Sequence, residues 1–121
     1  MPQTPVVLFR DDDGSGPLLD WFEDLPSKVQ DKCRLRIERL AELGHELRRP
    51  EADYLRDGIY ELRVRHQNVN FRILYFFHGD RAVLSHGLRK ERVVPAKEID
   101  LAVKRKARFV ADPEKHTAQE H

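Results

Sequence analysis

The stretch Tyr60-Glu61-Leu62-Arg63-Val64-Arg65 decides the fold. Apolar Tyr60, Leu62 and Val64 alternate with charged Glu61, Arg63 and Arg65, the period of a strand with one buried face. His66-Gln67-Asn68 follows as a turn. Residues 71–77 are apolar on both faces except at Arg72, as a central strand would be. His78-Gly79-Asp80 reads as a tight hairpin connection, and residues 81–88 supply the next strand. Three consecutive strands with short turns imply an antiparallel meander.

Upstream, residues 5–10 hold Val6-Val7-Leu8-Phe9 and read as a first strand; residues 11–17 are a turn by composition, and 18–23 a short helix. A second helix opens around Pro26, with Asp24 or Ser27 able to satisfy its exposed amides. It carries Val29, Cys33, Ile37, Leu40 and Ala41 on one face and stops at Gly44. Residues 45–57 are polar, broken by Pro50, and read as a linker. After Pro95, Ile99, Ala102, Val103 and Phe109 mark the inner face of a last helix. Its outer face holds Lys97, Lys104, Arg105, Lys106 and Arg108. Residues 111–121 lack periodicity and are expected to be a disordered tail. The predicted order is β-α-α-β-β-β-α, an α+β domain over residues 1–110. Helices should cover one face of a small, mostly antiparallel sheet, leaving Arg63 and Arg65 accessible on the other.

Composition narrows the function. The 121 residues fit one domain, and 36% charged with 40% hydrophobic residues excludes a disordered chain. A core of this size leaves no room for a large enclosed pocket, so any site should be a shallow groove. Cys33 is the one cysteine, which excludes an intrachain disulfide and a cysteine-based zinc site. Asp11-Asp12-Asp13 lacks the spacing of a calcium loop, and His45, His78, His116 and His121 show no ligand spacing, so neither a metal nor another cofactor is expected. No run approaches the roughly 18 apolar residues of a membrane helix. Met1-Pro2-Gln3-Thr4-Pro5 lacks the features of a signal peptide, and a cytoplasmic protein is the expectation.

The net charge of +1 hides an uneven distribution. Residues 1–55 carry 8 Lys/Arg against 12 Asp/Glu, residues 56–110 carry 13 against 6, and residues 111–121 carry 1 against 3. A basic half on a neutral chain suggests a local polyanion site or a merely solvated cationic face. The acids within residues 11–24 have no assigned role; solubility is expected ahead of binding to another protein.

The stretches Gly58-Ile59-Tyr60-Glu61-Leu62-Arg63, Phe71-Arg72-Ile73-Leu74-Tyr75-Phe76 and Val83-Leu84-Ser85-His86-Gly87-Leu88-Arg89-Lys90 together resemble the RelE/ParE superfamily of bacterial toxins. Pro95-Ala96-Lys97-Glu98-Ile99 before a basic helix is similar to its phage-derived, HigB-like branch. The resemblance spans residues 4–110. It implies the toxin of a type II toxin–antitoxin pair and, in RelE- and HigB-like members, an endoribonuclease that cuts mRNA in the ribosomal A site. It also implies a helix-turn-helix, HigA-like antitoxin as partner. Carried over by motif position, the basic site residues are Arg63 and Arg65, Arg72, and Arg89 with Lys90. Some RelE-type toxins have a catalytic tyrosine after the last strand; here Val93-Val94-Pro95 offers none.

Chemistry adds candidates. Metal-free RNA cleavage needs the 2′-hydroxyl deprotonated, the leaving 5′-oxygen protonated and the phosphorane charge neutralised. Arginine suits the last task, and its pKa above ~12 unsuits it for the others. His86 is the best proton carrier by chemistry, followed by Tyr60, His66 and Lys90. Tyr60 shares parity with Leu62 and Val64, which favours a core position. Arg72 either pairs with an acid such as Glu61 or faces the anion, and the second is expected. The catalytic set is thus Arg63, Arg72, Arg89, Lys90 and His86; Arg65, His66, Lys97, Lys104 and Arg105 would attract RNA. Competing expectations are a ParE-like toxin that binds DNA gyrase without catalysis, and a remnant that only binds antitoxin.

Overall fold

The computed structural model describes residues 3–90 and 92–118. Its order is β1 (Val6–Leu8), α1 (Pro17–Glu23), α2 (Ser27–Leu43), β2 (Ala52–Arg56), β3 (Ile59–His66), β4 (Val69–His78), β5 (Arg81–Arg89) and α3 (Ala96–Ala111). The class is α+β, with one five-stranded mixed sheet in the order β1-β5-β4-β3-β2. The meander pairs antiparallel, from Tyr60↔Tyr75 to His66↔Val69 and from Phe77↔Ala82 to Phe71↔Arg89, while β1 joins β5 in parallel.

Three expectations are corrected. The linker of residues 45–57 contains β2, paired antiparallel to β3 through Ala52↔Leu62 and Tyr54↔Tyr60. It is an edge strand that buries Ala52 and carries Asp53 and Arg56, and charge on an edge blunts pairing with further strands.

Second, helices cover both faces of the sheet rather than one. Leu18, Val29, Cys33 and Leu40 pack on Leu62, Val64, Phe71, Ile73, Tyr75 and Leu84. Ile99, Ala102 and Phe109 of α3 pack on Ile59, Leu74, Phe76 and Val83 from the opposite side. The central strand is apolar on both faces for this reason. Cys33 is fully buried, and burial pushes its thiol up to about 11, which leaves it an unreactive core group.

Third, the tail continues the fold as far as it is described. Thr117 bridges Phe9, the Ala118 amide donates to the Leu8 carbonyl (2.9 Å), and buried His116 stacks on Phe9 at 5.2 Å. Residues 119–121, and with them His121, lie outside the described residues, as do Met1, Pro2 and Glu91.

A one-residue bulge in β5 controls which residues share a face. Tyr75 pairs with Leu84, yet Leu74 pairs with His86, so Ser85 is the extra residue. Beyond the bulge the parity reverses: His86 and Leu88 turn toward α3, and Gly87 and Arg89 toward α1. Gly87 then lies under Trp21, where a Cβ would fall 2.2–2.4 Å from three ring atoms. A glycine inside a strand often marks such a close approach. Gly87→Ala should therefore destabilise the protein by about 1–3 kcal/mol in urea denaturation through overpacking. Unchanged stability would contradict the seating of Trp21 on this backbone.

Candidate functional site

The polar side of β3 carries Glu61, Arg63 and Arg65 toward the α3 face. Arg63 stands directly opposite Arg72 of β4. Two like charges across a strand pair repel, and Glu61 lies between them. Its Oε1 is 3.0 Å from Arg72 Nε and its Oε2 is 3.7 Å from Arg63 Nε. Arg72 and Glu61 are only 5% and 6% exposed. Of the two readings of Arg72, the structure shows the pairing with Glu61, where the open anion site was the one expected; its guanidinium nevertheless borders the groove outside. The contact at Arg72 Nε is an ion pair without hydrogen-bond alignment, and its Nη1 donates to the Phe71 carbonyl (3.2 Å). Burial, the largest influence on both groups, pushes Glu61 above the usual carboxylate range and Arg72 below the usual guanidinium range. Pairing thus recovers only part of the solvation that burial removes.

The triad opens into a groove of about 320 Å³ between β2, β3 and the segment leading to α3, lined also by Arg49, Asp53, Arg56 and Arg92. Arg49 pairs with Asp53 at 2.7 Å, and Arg56 with Asp57 and Asp100, each at 2.7 Å. A second recess of about 330 Å³ adjoins it, where Arg36, Arg65 and Asn70 meet Arg63 and Arg72. There Arg36 Nη1 donates to Glu51 (2.8 Å) and Arg65 Nη2 to the Asn68 side chain (3.0 Å). Among the described residues no carboxylate pairs with Arg65, Lys90 or Arg92. The lining therefore keeps a positive excess suited to phosphate.

The other candidates scatter. Lys90 sits past the end of β5, its amide donating to the Asn70 carbonyl (3.0 Å), and lines a recess of about 430 Å³ with Arg89 and Arg92. Arg89 points the other way, its guanidinium 5.7 Å from the Phe71 ring on the α1 side. The bulge at Ser85 separates it from Arg72. Half-buried His66 lines the recess on that same side, with Nδ1 buried and lacking a hydrogen-bond partner.

His86 is buried beneath α3, with Nε2 3.0 Å from Glu98 and Nδ1 2.8 Å from the Ser85 hydroxyl. A carboxylate only accepts, so Nε2 carries the hydrogen and the Ser85 hydroxyl donates to Nδ1. Burial first, then the Arg105 charge, holds this imidazole below its usual range.

Arg105, expected on an outer RNA-attracting face, is only 8% exposed, lies 5.6 Å over the Phe9 ring and sits 3.6 Å from Asp11. It occupies the buried stripe of α3 because it falls three residues after Ala102 and four before Phe109. Lys97 and Lys104 are exposed on that helix, apart from the groove. Among the described residues no three His, Cys, Asp or Glu side chains converge to hold a metal ion, and no helix is long and apolar enough to cross a membrane.

The structure thus brings together Arg63, Arg65 and Arg72, with Lys90 at the sheet end. It adds Arg49, Arg56 and Arg92, which sequence reasoning passed over, and makes Glu61 the centre rather than a bystander. The alternation of β3 carried that signal, since Glu61 shares a face with Arg63 and Arg65.

Residues 20–107 match the family of phage-derived Gp49-like proteins (DUF891). The match spans most of the chain, which belongs to that family, a RelE/toxin-like one. No curated protein matches it.

The buried imidazole also makes a pH-dependent contribution to stability. Because His86 has a depressed pKa in the fold, the unfolded chain takes up that proton first, starting near the ordinary 6.5. Its contribution is present above pH 6.5 and is lost as pH falls through the folded value. Glu61, with a raised pKa, works in the opposite sense. The stability difference between wild type and His86→Gln should shrink on acidification below pH 6.5, by up to about 1.4 kcal/mol per pH unit. Denaturant midpoints at a series of pH values measure it; a difference independent of pH would contradict a buried neutral imidazole.

Proposed function

We propose that the protein is a HigB-like toxin of a toxin–antitoxin pair and that it cuts RNA through attack of the 2′-hydroxyl. The observation that carries this reading is the buried Glu61 held between Arg63 and Arg72 at the floor of an open cationic groove. A carboxylate raised by burial is a better proton acceptor at neutral pH than an ordinary one. In this reading Glu61 takes the 2′-hydroxyl proton, the freed oxygen attacks phosphorus, and Arg63 with Arg72 neutralises the phosphorane. Lys90 carries a transferable proton for the leaving 5′-oxygen.

The roles of Arg65 and Arg92 are to hold flanking phosphates. His86 holds α3 to the sheet and takes no part in proton transfer. A shallow groove binds RNA weakly alone, which favours message presented in the ribosomal A site as substrate. The partner that silences it would be a helix-turn-helix antitoxin.

Inducible expression tests this. The wild type should arrest growth and fragment coding messages, with relief by a helix-turn-helix protein encoded beside it. Arg63→Gln and Glu61→Gln, checked for folding by circular dichroism, should each cut about 10²-fold more slowly or worse. Fragments should end in 2′,3′-cyclic phosphate. Arrest with intact message and blocked DNA supercoiling would instead support a ParE-like poison of gyrase.

A further inference from the structure

On the other side of the sheet, behind Arg89, lies a recess of about 370 Å³ that the cleavage chemistry does not use. Its wall is Trp21, half-buried on α1, with its ring against the Gly87 backbone and 6.4 Å from Phe71 in an edge-on arrangement. The guanidinium of Arg89 lies over Phe71, and among the described residues no carboxylate pairs with it. His66 presents a buried Nδ1 without a hydrogen-bond partner. Aromatic rings beside an exposed cation with no carboxylate partner among the described residues suit an unstacked nucleobase with its phosphate.

The recess is linked to the groove through shared lining residues. Arg89 lines both it and the recess at the sheet end, and Arg92 lines both that recess and the groove holding Glu61, Arg63 and Arg72. Positive charge therefore runs around the end of β5 from one face of the sheet to the other, and the bulge at Ser85 turns Arg89 to the second face. We propose that Trp21 and Arg89 form a stacking subsite for one unpaired base of a single-stranded RNA whose phosphates follow this path. The subsite rests on the RNA reading of the groove, and it names what that reading leaves open: where a base flanking the cut linkage is held.

Trp21 is the one tryptophan of the chain, so its emission reports on this recess alone. The full-length protein would be titrated with a short 2′-O-methyl single strand, which cannot be cleaved, and with an abasic strand of equal length. The base-bearing strand should quench Trp21 emission. The abasic strand should bind at least about 5-fold more weakly and leave emission unchanged. Trp21→Leu should weaken the base-bearing strand by about 5- to 150-fold, and Trp21→Phe should restore most of the loss. Arg89→Gln, at an exposed position, should lower affinity and flatten its salt dependence.

Binding without quenching, equal binding of the abasic strand, or no binding would each overturn the subsite. So would quenching by an antitoxin but not by RNA, which would make the recess a protein-docking surface. Quenching by a strand that the protein never cuts in its natural form would sink the nuclease reading while leaving the subsite standing.

Discussion

Two arginines face each other across neighbouring strands, and one carboxylate lies between them. Arg63 and Arg72 cannot stand opposite in a low-dielectric sheet without a counter-charge. Glu61 supplies it from the position two residues before Arg63, on the same face. One negative charge shared by two positive ones leaves an excess, and the neighbouring Arg65 and Arg92 add to it. Burial drives Glu61 and Arg72 away from their ordinary protonation ranges, so the pair is held at some cost in solvation. A purely structural pair would be cheaper as apolar residues. That cost is the physical reason to read the triad as functional.

The bulge at Ser85 is the second constraint. It divides the basic residues of β5 and its continuation between two faces: Arg89 goes to the α1 side, and Lys90 stays at the sheet end between the grooves. It also turns His86 inward, where Glu98 and Ser85 hold it under α3. The most attractive proton carrier by side-chain chemistry is therefore a structural anchor, and the carboxylate on β3 takes its place in the proposed mechanism. Membership of the Gp49-like family, a RelE/toxin-like one, is consistent with this arrangement.

Much of the fold was legible in the residues. Alternation in β3 and the continuous apolar run of β4 located the two strands that build the site, and the stripe Val29, Cys33, Leu40 located α2. What escaped had definite causes. β2 was hidden because only Ala52 and Leu55 reach the core, one on each side of the sheet, and Asp53 and Arg56 read as linker. The second covered face was implied by β4 being apolar on both sides, but the inner face of α3 was assigned to the same side as the other helices. Arg105 was misplaced because guanidinium groups are expected outside, although its spacing from Ala102 and Phe109 puts it inside. The bulge was not read from Leu84-Ser85-His86-Gly87, and neither choice took account of strand faces: His86 was chosen by its side-chain chemistry and Arg89 by its motif position. Tail docking through His116 and Thr117 depends on Phe9, more than a hundred residues away in sequence.

The pH dependence of cleavage tests the role of Glu61 most directly. With ribosome-bound message and the purified protein, the rate should rise with pH along a limb whose apparent pKa lies above the ordinary carboxylate value of 4.5. That limb should vanish in Glu61→Gln and persist in His86→Gln. A limb that survives loss of Glu61, or that moves only when His86 is replaced, would contradict the account.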